Sequence, residues 1–384
     1  MSGKVLLPQG FVASGLSAGI KKSGAKDLAL IVNQGPITFG TAVFTSNKIV
    51  AAPVTWSRSV VKDNEVAAIL LNSGGANACT GPDGFADTHK SGEYVAEKLG
   101  ISSADIVICS TGMIGERLPM DNLLAGIDKA VASLSSDSGV DIAEAIMTTD
   151  THAKYFSSAK NGVHIYGMAK GAGMLAPSLA TMLSVVAIDA IPQANAEQIF
   201  HDVVAKTFNR IDSDGCTSTN DTVTFMASGA SGVTLSDSEL FDLLFECCDF
   251  LAHSLISDAE GHSKIVSITT VNATSVEEAE AIGKACARNN LLKCAIHGED
   301  PNWGRILAAI GTVDAVFDPY SIDVSLNGVM VCKNSAPGES RMLVDMSGKR
   351  VEILIDLKAG TESATIWTND LTAEYVHENS DYSS

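Results

Sequence analysis

The chain is short of positive charge, of aromatic rings and of long apolar runs. Its 384 residues carry 26 Lys and Arg against 45 Asp and Glu, a net charge of −19. No basic run occurs, so nucleic acid and anionic membrane surfaces are repelled and neither is expected as a partner. No apolar stretch reaches the roughly 20 residues of a membrane span. Met1 to Leu7 holds one Lys and too short an apolar run for a signal peptide. The eight cysteines never adopt C-x-x-C spacing, and Cys247 and Cys248 are adjacent. Reduced core thiols are therefore expected rather than disulfides. The eight histidines are scattered without a pair at metal-ligand spacing and a third ligand close by. No metal and no cofactor are expected. Taken together, these absences point to the cytoplasm.

What is present suits a well-buried globular protein. Apolar residues make up 46%, charged residues 18% and aromatics only 5%. Ala, Gly and Val fill the gap, which favours tightly apposed α/β layers. The length implies two or three domains or subdomains.

Short strands alternate with helices along the chain. Val66 to Leu71 is a compact apolar run that ends in the loop NSGGANACTGPDG, Asn72 to Gly84. A helix is expected from Phe85 to Leu99, a buried strand at Ile106 to Cys109 with a loop after it, then helices at Asp121 to Leu134 and Ile142 to Thr148. Lys154 to Phe156 and Val163 to Ala169 read as a hairpin turned at Asn161-Gly162. Asn195 to Phe208 reads as a helix and Thr222 to Ala227 as a strand. Ser236 to Ser257 places Leu240, Leu243, Leu244, Cys247, Leu251 and Leu255 at helical spacing, behind Ser236 as cap and Glu239 three residues on. A strand at Ile265 to Val271 and one helix from Val276 to Leu292 follow. The last hundred residues suggest a short helix at Gly304 to Ile310 and strands at Ile322 to Leu326, Val329 to Cys332, Val351 to Leu357 and Ala364 to Asn369. Periodicity alone yields α/β with two or more lobes.

Lys170 to Asp189 reads KGAGMLAPSLATMLSVVAID. A Gly-rich lead and Pro177 bring the backbone to the Ala180-Thr181 bond, and an apolar run follows. If that bond breaks, the freed α-amine of Thr181 can activate the hydroxyl of the same residue as a nucleophile. A Thr in so apolar a stretch is more often a packed core residue. A second competitor is dinucleotide binding, since Gly171, Gly173 and Ala176 fit G-x-G-x-x-A and Asp189 stands where a ribose-binding acid is expected. Pro177 at the packed opening of the helix and the hairpin strand that leads in both argue against it.

Six blocks and an entry segment carry a resemblance. They are the Lys170 stretch, IMTTDT (Ile146 to Thr151), STGMIGE (Ser110 to Glu116), TSTNDTV (Thr217 to Val223), DAEG (Asp258 to Gly261) and EDPNWGR (Glu299 to Arg305), with the opening block Gly10 to Leu30. In their order along the chain they resemble the ornithine acetyltransferase family, the glutamate N-acetyltransferases of arginine biosynthesis. The likeness covers essentially the whole chain.

The resemblance implies a layered α-β-β-α sandwich with mixed sheets and a C-terminal α/β lobe from about residue 265. It implies self-cleavage between Ala180 and Thr181 into an α chain, 1–180, and a β chain, 181–384, assembled as α2β2. It implies ping-pong acetyl transfer from N-acetylornithine to glutamate through an acetyl-Thr181 ester, with acetyl-CoA as a possible further donor. Thr111 and Gly112 correspond to the oxyanion hole. Thr148, Lys170, Thr181, Glu260, Asn379 and Ser384 correspond to substrate contacts. Lys170 would take the substrate carboxylate and Glu260 the ornithine ammonium. The bland readings are a plain turn for Thr111-Gly112, a helix-end Thr for Thr148, solvated charges for Lys170 and Glu260, and a frayed tail for NSDYSS. The DPNWGR block reads as structural: Trp303 packs, and Arg305 is expected to pair with Asp300 or Glu299. The TSTNDT loop reads as shaping the cleft. A self-cleaving amidase or aminopeptidase of similar design, and a nucleotide-binding protein, remain as alternatives.

Overall fold

The computed structural model describes residues 4–176 and 182–381. From the N-terminus, β1 (Phe11–Leu16), β2 (Leu28–Asn33) and β3 (Phe39–Phe44) precede α1 (Ala52–Val60). Next come β4 (Ala68–Ser73), α2 (Gly81–Leu99), β5 (Ile106–Thr111), α3 (Met120–Ala132) and α4 (Gly139–Ala145). The hairpin β6 (Lys154–Lys160) and β7 (Val163–Lys170) leads to β8 (Leu183–Ile188), α5 (Ala196–Lys206), β9 (Thr222–Ala227) and α6 (Asp237–Ile256). The remainder is β10 (Ile265–Ala273), α7 (Val276–Ala287), α8 (Asn290–His297), α9 (Trp303–Ile310), β11 (Asp323–Leu326), β12 (Val329–Lys333), β13 (Ala336–Pro337), β14 (Arg350–Asp356), β15 (Glu362–Asn369) and α10 (Ala373–Asp381).

The strands form three sheets, ordered β1-β2-β4-β5, β3-β9-β8-β7-β6 and β13-β12-β11-β14-β10-β15. The first two stack face to face, and strand alternation shows how. Successive side chains point to opposite faces of a strand. In β2, Ala29 and Ile31 enter the core between the two sheets, while Leu28, Leu30 and Val32 enter the core under α2 and α3. In β5, Val107 and Cys109 face the partner sheet, and Ile106 and Ile108 face the helices. In β8, Leu183, Val185 and Ala187 turn to the partner sheet, and Val186 and Ile188 turn to α5 and α6. Every residue of these three strands is buried, as two-faced coverage demands. The layers are therefore helix, sheet, sheet, helix. The third sheet packs α7, α8 and α9 around a separate core of Val266, Ile268, Ile282, Ile306, Ile353 and their neighbours.

Several sequence expectations are met closely. The hairpin turn places Asn161 at φ 52° and Gly162 at φ 77°, the left-handed pair that a two-residue turn of this kind requires. Ser236 and Glu239 form the full capping box at the start of α6. Other expectations are corrected. The helix expected over Val276 to Leu292 is two helices, because Asn289 is extended and its side chain caps α8 by accepting the Leu292 N–H at 3.0 Å. The helix expected to reach Thr148 ends at Ala145, so Thr148 lies in a bend. β5 runs on through Thr111 rather than stopping at Cys109. Gly171 to Ala176 opens no helix, which removes the structural basis for a dinucleotide loop. Asp189 instead accepts backbone N–H groups from Gln9 and His164. All eight cysteines are free, but Cys79, Cys216 and Cys294 are exposed rather than in the core. Among the described residues no helix is long and apolar enough to cross a membrane.

α6 joins the hairpin layer to its outer core through Leu244, which is fully buried. Leu244→Ala should lower stability by about 2–5 kcal/mol through the cavity it leaves. Ser236→Ala, which only removes the cap, should lower it by about 1 kcal/mol. Denaturant unfolding of the two variants checks the ranking.

Candidate active site

β5 and β7 end in the two facing sheets, and the site is built where they stop, the Lys170 side chain reaching across to Thr111. A cavity of about 110 Å³ there is lined by Thr111, Gly112, Thr148, Lys170, Glu260 and Asn379, six of the residues singled out in the sequence. They come from β5, the bend after α4, β7, the turn after α6, and α10. Ala180, Thr181 and Ser384 lie outside the described residues.

Thr111 closes β5, paired with Ser73 in the parallel ladder and bridged to Gly75. It is held by two strands, so the plain-turn reading does not apply. Gly112 has φ 126°, a region that favours glycine. A Cβ there would sit 2.6 Å from the Gly75 nitrogen and 2.7 Å from the Gly74 carbon. The close approach of these two loops thus requires Gly112. Asn220 ties them further: its Nδ2 donates to the Ala76 carbonyl at 2.6 Å and the Ser110 carbonyl at 2.9 Å.

Lys170 is buried, not solvated, and its Nζ lies 3.4 Å from Thr111 Oγ1. Burial pushes its ammonium below the ordinary lysine range, and Asp150 pulls the other way. Asp150 is the hub of the region. Its Oδ1 accepts Lys154 Nζ at 2.6 Å and the Gly171 N–H at 2.7 Å, and its Oδ2 accepts the Thr148 N–H at 2.9 Å. Burial alone would raise its pKa, but Lys170 and then Lys154 outweigh that and hold the carboxyl down to about 2. Lys154 also donates to Asp258 Oδ2 at 2.6 Å, and Asp258 receives the Thr151 N–H at 3.0 Å. Two cations and two anions so alternate in a dry interior, a geometry that tolerates burial only while every member is paired.

Glu260 follows α6. Its Oε1 accepts the Thr149 hydroxyl at 2.8 Å, and its own N–H donates to the Ala172 carbonyl at 3.0 Å. Gly173 faces this carboxylate, and a Cβ there would come within 2.5 Å of Oε2. Asn379 arrives on α10, anchored by Nδ2 to the Tyr375 carbonyl at 3.0 Å. A wider cavity of about 630 Å³ adjoins the first and shares Thr149, Glu260 and Asn379 with it.

Residues not singled out by sequence reading also line the smaller cavity: Thr149, Ser218, Thr219 and Asn220. Their signal was the polar blocks IMTTDT and TSTNDT, whose roles depend on partners distant in the chain. Asp150 and Asp221 were equally overlooked. Asp221 is fully buried and accepts the Met182 N–H at 2.9 Å through Oδ1, with Ser218 also beside its carboxyl. The expectation for Arg305 is corrected: it donates to the Leu291 carbonyl, while Glu299 pairs with Lys264 and Asp300 with Arg341. Trp303 packs against the core of the third sheet, as expected.

Comparison with known proteins adds independent findings. The ArgJ family model matches residues 12–384. The arginine biosynthesis bifunctional protein ArgJ of Streptomyces avermitilis is 55% identical over 381 residues, spanning 99% of this chain and 100% of the relative. The protein of the same name from Thermobifida fusca is 53% identical over 381 residues, with the same coverage of both. Among solved structures, the ornithine acetyltransferase of Mycobacterium tuberculosis, complexed with ornithine, is 46% identical; the match covers 46% of this chain and 96% of that one, with a TM-score of 0.41.

The ionised Asp150 sets an acid limit. Its folded pKa of about 2 lies below the unfolded value, so its stabilisation is complete above the unfolded value and is lost as pH falls toward 2. Asp150→Asn should remove that part of the acid transition and cost about 3–5 kcal/mol at neutral pH, because Lys170 loses the carboxylate beside it and Lys154 keeps only Asp258. Thermal unfolding measured between neutral and strongly acid pH checks both.

Proposed function

The chain belongs to the ArgJ family, and on that premise we propose that it is an amino-acid N-acetyltransferase of arginine biosynthesis, moving acetyl from N-acetylornithine to glutamate. The observation that carries this reading is the gathering of Thr111, Gly112, Thr148, Lys170, Glu260 and Asn379 around one cavity, beside the backbone that flanks residues 177–181. A reaction between two amino acids that share an α-carboxylate end needs one pocket, one acyl carrier and one oxyanion site.

The proposed sequence begins with hydrolysis of the Ala180-Thr181 bond, water completing the new Ala180 carboxylate and freeing the Thr181 α-amine. The Thr181 α-amine then takes the proton of its own hydroxyl as the oxygen attacks the acetyl carbonyl of N-acetylornithine. The negative charge that develops on that carbonyl is met by the Thr111 hydroxyl and the Gly112 N–H. The amine returns the proton to the departing nitrogen, ornithine leaves, and acetyl remains as an ester on Thr181. Glutamate enters the same pocket and its α-amine attacks the ester carbonyl; the bond to the Thr181 oxygen breaks, that oxygen regains a proton given up by the attacking amine, and N-acetylglutamate departs.

Lys170 serves as the carboxylate site. Its buried ammonium lies close to Thr111, and an incoming carboxylate supplies a second anion beside Asp150. Glu260 serves the ornithine ammonium, with Thr149 holding one carboxylate oxygen and Gly173 leaving room for the other. Thr148, Asn379 and Ser384 complete the pocket in this proposal. The bifunctional designation of the relatives supports acetyl-CoA as a second donor to the same Thr181. The chains 1–180 and 181–384 are proposed to stay together, paired as α2β2 in the cytoplasm, without a metal or resident cofactor.

Intact mass tests the first step: wild type should give fragments 1–180 and 181–384, and Thr181→Ala a single chain with no N-acetylornithine-dependent acetylation of glutamate. A single-chain, fully active wild type would sink the reading. Thr111→Ala should lose roughly 10²–10³ in turnover, the usual loss for one oxyanion donor. Acetyl transfer to glutamate should also outpace hydrolysis of N-acetylornithine; the reverse ratio marks an amidase.

A further inference from the structure

Three cavities meet at Glu260. It lines the substrate cavity, the wider cavity beside it, and a third of about 290 Å³ between the loop 213–215, the junction of α7 and α8, and α10. The acyl-transfer reading gives this carboxylate two visitors of opposite charge. N-acetylornithine ends its side chain in an ammonium, which Glu260 attracts. Glutamate ends a side chain of similar length in a carboxylate, which Glu260 repels. A shared site for the α-carboxylates does not serve both distal ends. The acceptor therefore needs donors next to Glu260 that the ammonium does not use.

The wider cavity does not supply them: Asp258, Glu374 and Glu378 line it, and no Lys or Arg among the described residues does. The third cavity carries Arg288, Lys293 and Tyr375. Lys293 is buried and gives its Nζ to the Ser213 and Asn369 carbonyls and the Thr368 hydroxyl, so it lends charge to the wall but has no donor left over. The acids of this cavity face partners of their own. Asp214 accepts the Leu175 and Cys216 N–H groups, and Asp370 accepts those of Ser263 and Lys264. Burial also pushes the Asp214 carboxyl above the ordinary range, which weakens its negative charge.

Arg288 and Tyr375 differ from these. Arg288 donates its Nε to Asp212 Oδ2 at 2.7 Å, and 47% of its side chain is exposed, so the terminal nitrogens of its fork remain to bind. The Tyr375 hydroxyl has no hydrogen-bond partner among the described residues. Burial, with Asp214 and Glu260 nearby, raises its pKa to about 12, so it keeps its proton and stays a donor.

We propose that the third cavity is the subsite for the distal carboxylate of the acceptor, with Tyr375 donating to it beside Glu260 and the Arg288 guanidinium meeting it from deeper in the cavity. This rests on the acyl-transfer reading given above. The two substrates share the α-carboxylate site and part at Glu260: the donor's ammonium stays on that carboxylate, and the acceptor's carboxylate turns to the phenol and the guanidinium. A planar fork suits a carboxylate, and a neutral phenol adds a hydrogen bond without a charge that would repel the ammonium. The class of acceptor selected is a short amino acid with a second carboxylate.

Tyr375→Phe and Arg288→Gln test this, with full-length protein assayed in both half-reactions. In a ping-pong cycle each kcat/KM reports its own half. Each variant should lower kcat/KM for glutamate roughly ten- to hundredfold, the loss of one hydrogen bond to a charged group, and leave kcat/KM for N-acetylornithine within about twofold. Wild type should also prefer glutamate to L-glutamine, whose distal group is uncharged, and both variants should shrink that preference. Unchanged glutamate kinetics in both variants would overturn the proposal. So would an equal fall in both half-reactions, which marks a merely structural role, or a wild type that accepts glutamine as well as glutamate. If Arg288→Gln does not fold because Asp212 loses its partner, Tyr375→Phe decides by the same criterion. A wild type that moves no acetyl from N-acetylornithine to glutamate overturns the acyl-transfer reading and this proposal together; a competent wild type with insensitive variants overturns this one only.

Discussion

One buried carboxylate organises the site. Asp150 takes a backbone N–H from the bend that carries Thr148, a second from Gly171 at the end of β7, and the ammonium of Lys154. Without it the bend, the strand end and two interior cations would have no common reference. The same carboxylate allows Lys170 to be buried beside Thr111. Charge in a dry interior is costly unless each member is paired, so the cluster is both a weak point and a source of precise geometry.

The layered body supplies the stiffness that this cluster needs. β5 and β8 are buried on both faces, and side chains on alternate positions lock into different cores. A shift of one residue in register would turn each apolar set toward the wrong layer. Thr111 and Met182 therefore sit at the ends of strands that cannot slide. The loops that complete the cavity, 74–78 and 218–220, are fastened to those ends by Asn220 rather than left to float.

Much of the fold was legible wherever one pattern was strong. β9 was read to its terminal residues because TVTFMA is compact and bounded by polar loops, and α6 was read because its cap and its apolar stripe agree. β1, β2 and α10 were quoted as blocks or as a tail without being recognised as elements. FVASGL has little alternation to show, and AEYVHENSD is too polar to reveal a helix that docks by a few contacts. The helix read through Leu292 shows the opposite error: apolar spacing continued, but Asn289 had a local alternative as a cap. For the site, resemblance named the residues, and the fold brought six of them to one cavity. Thr149, Asp150, Asn220 and Asp221 escaped notice because no local pattern distinguishes a polar loop residue with a distant partner from one facing water. Thr149 meets Glu260 across 111 positions of sequence, and nothing near either residue foretells it.

The strand order of the second sheet carries a further consequence. In its order β3-β9-β8-β7-β6 the adjacent pair β9-β8, from after residue 180, lies between β3 and β7-β6, from before it. A backbone break at that point would separate no module. Each piece alone would present raw strand edges along its full length, the template on which foreign chains stack. Two such pieces made from separate messages would therefore face each other as sticky halves rather than as subunits ready to dock.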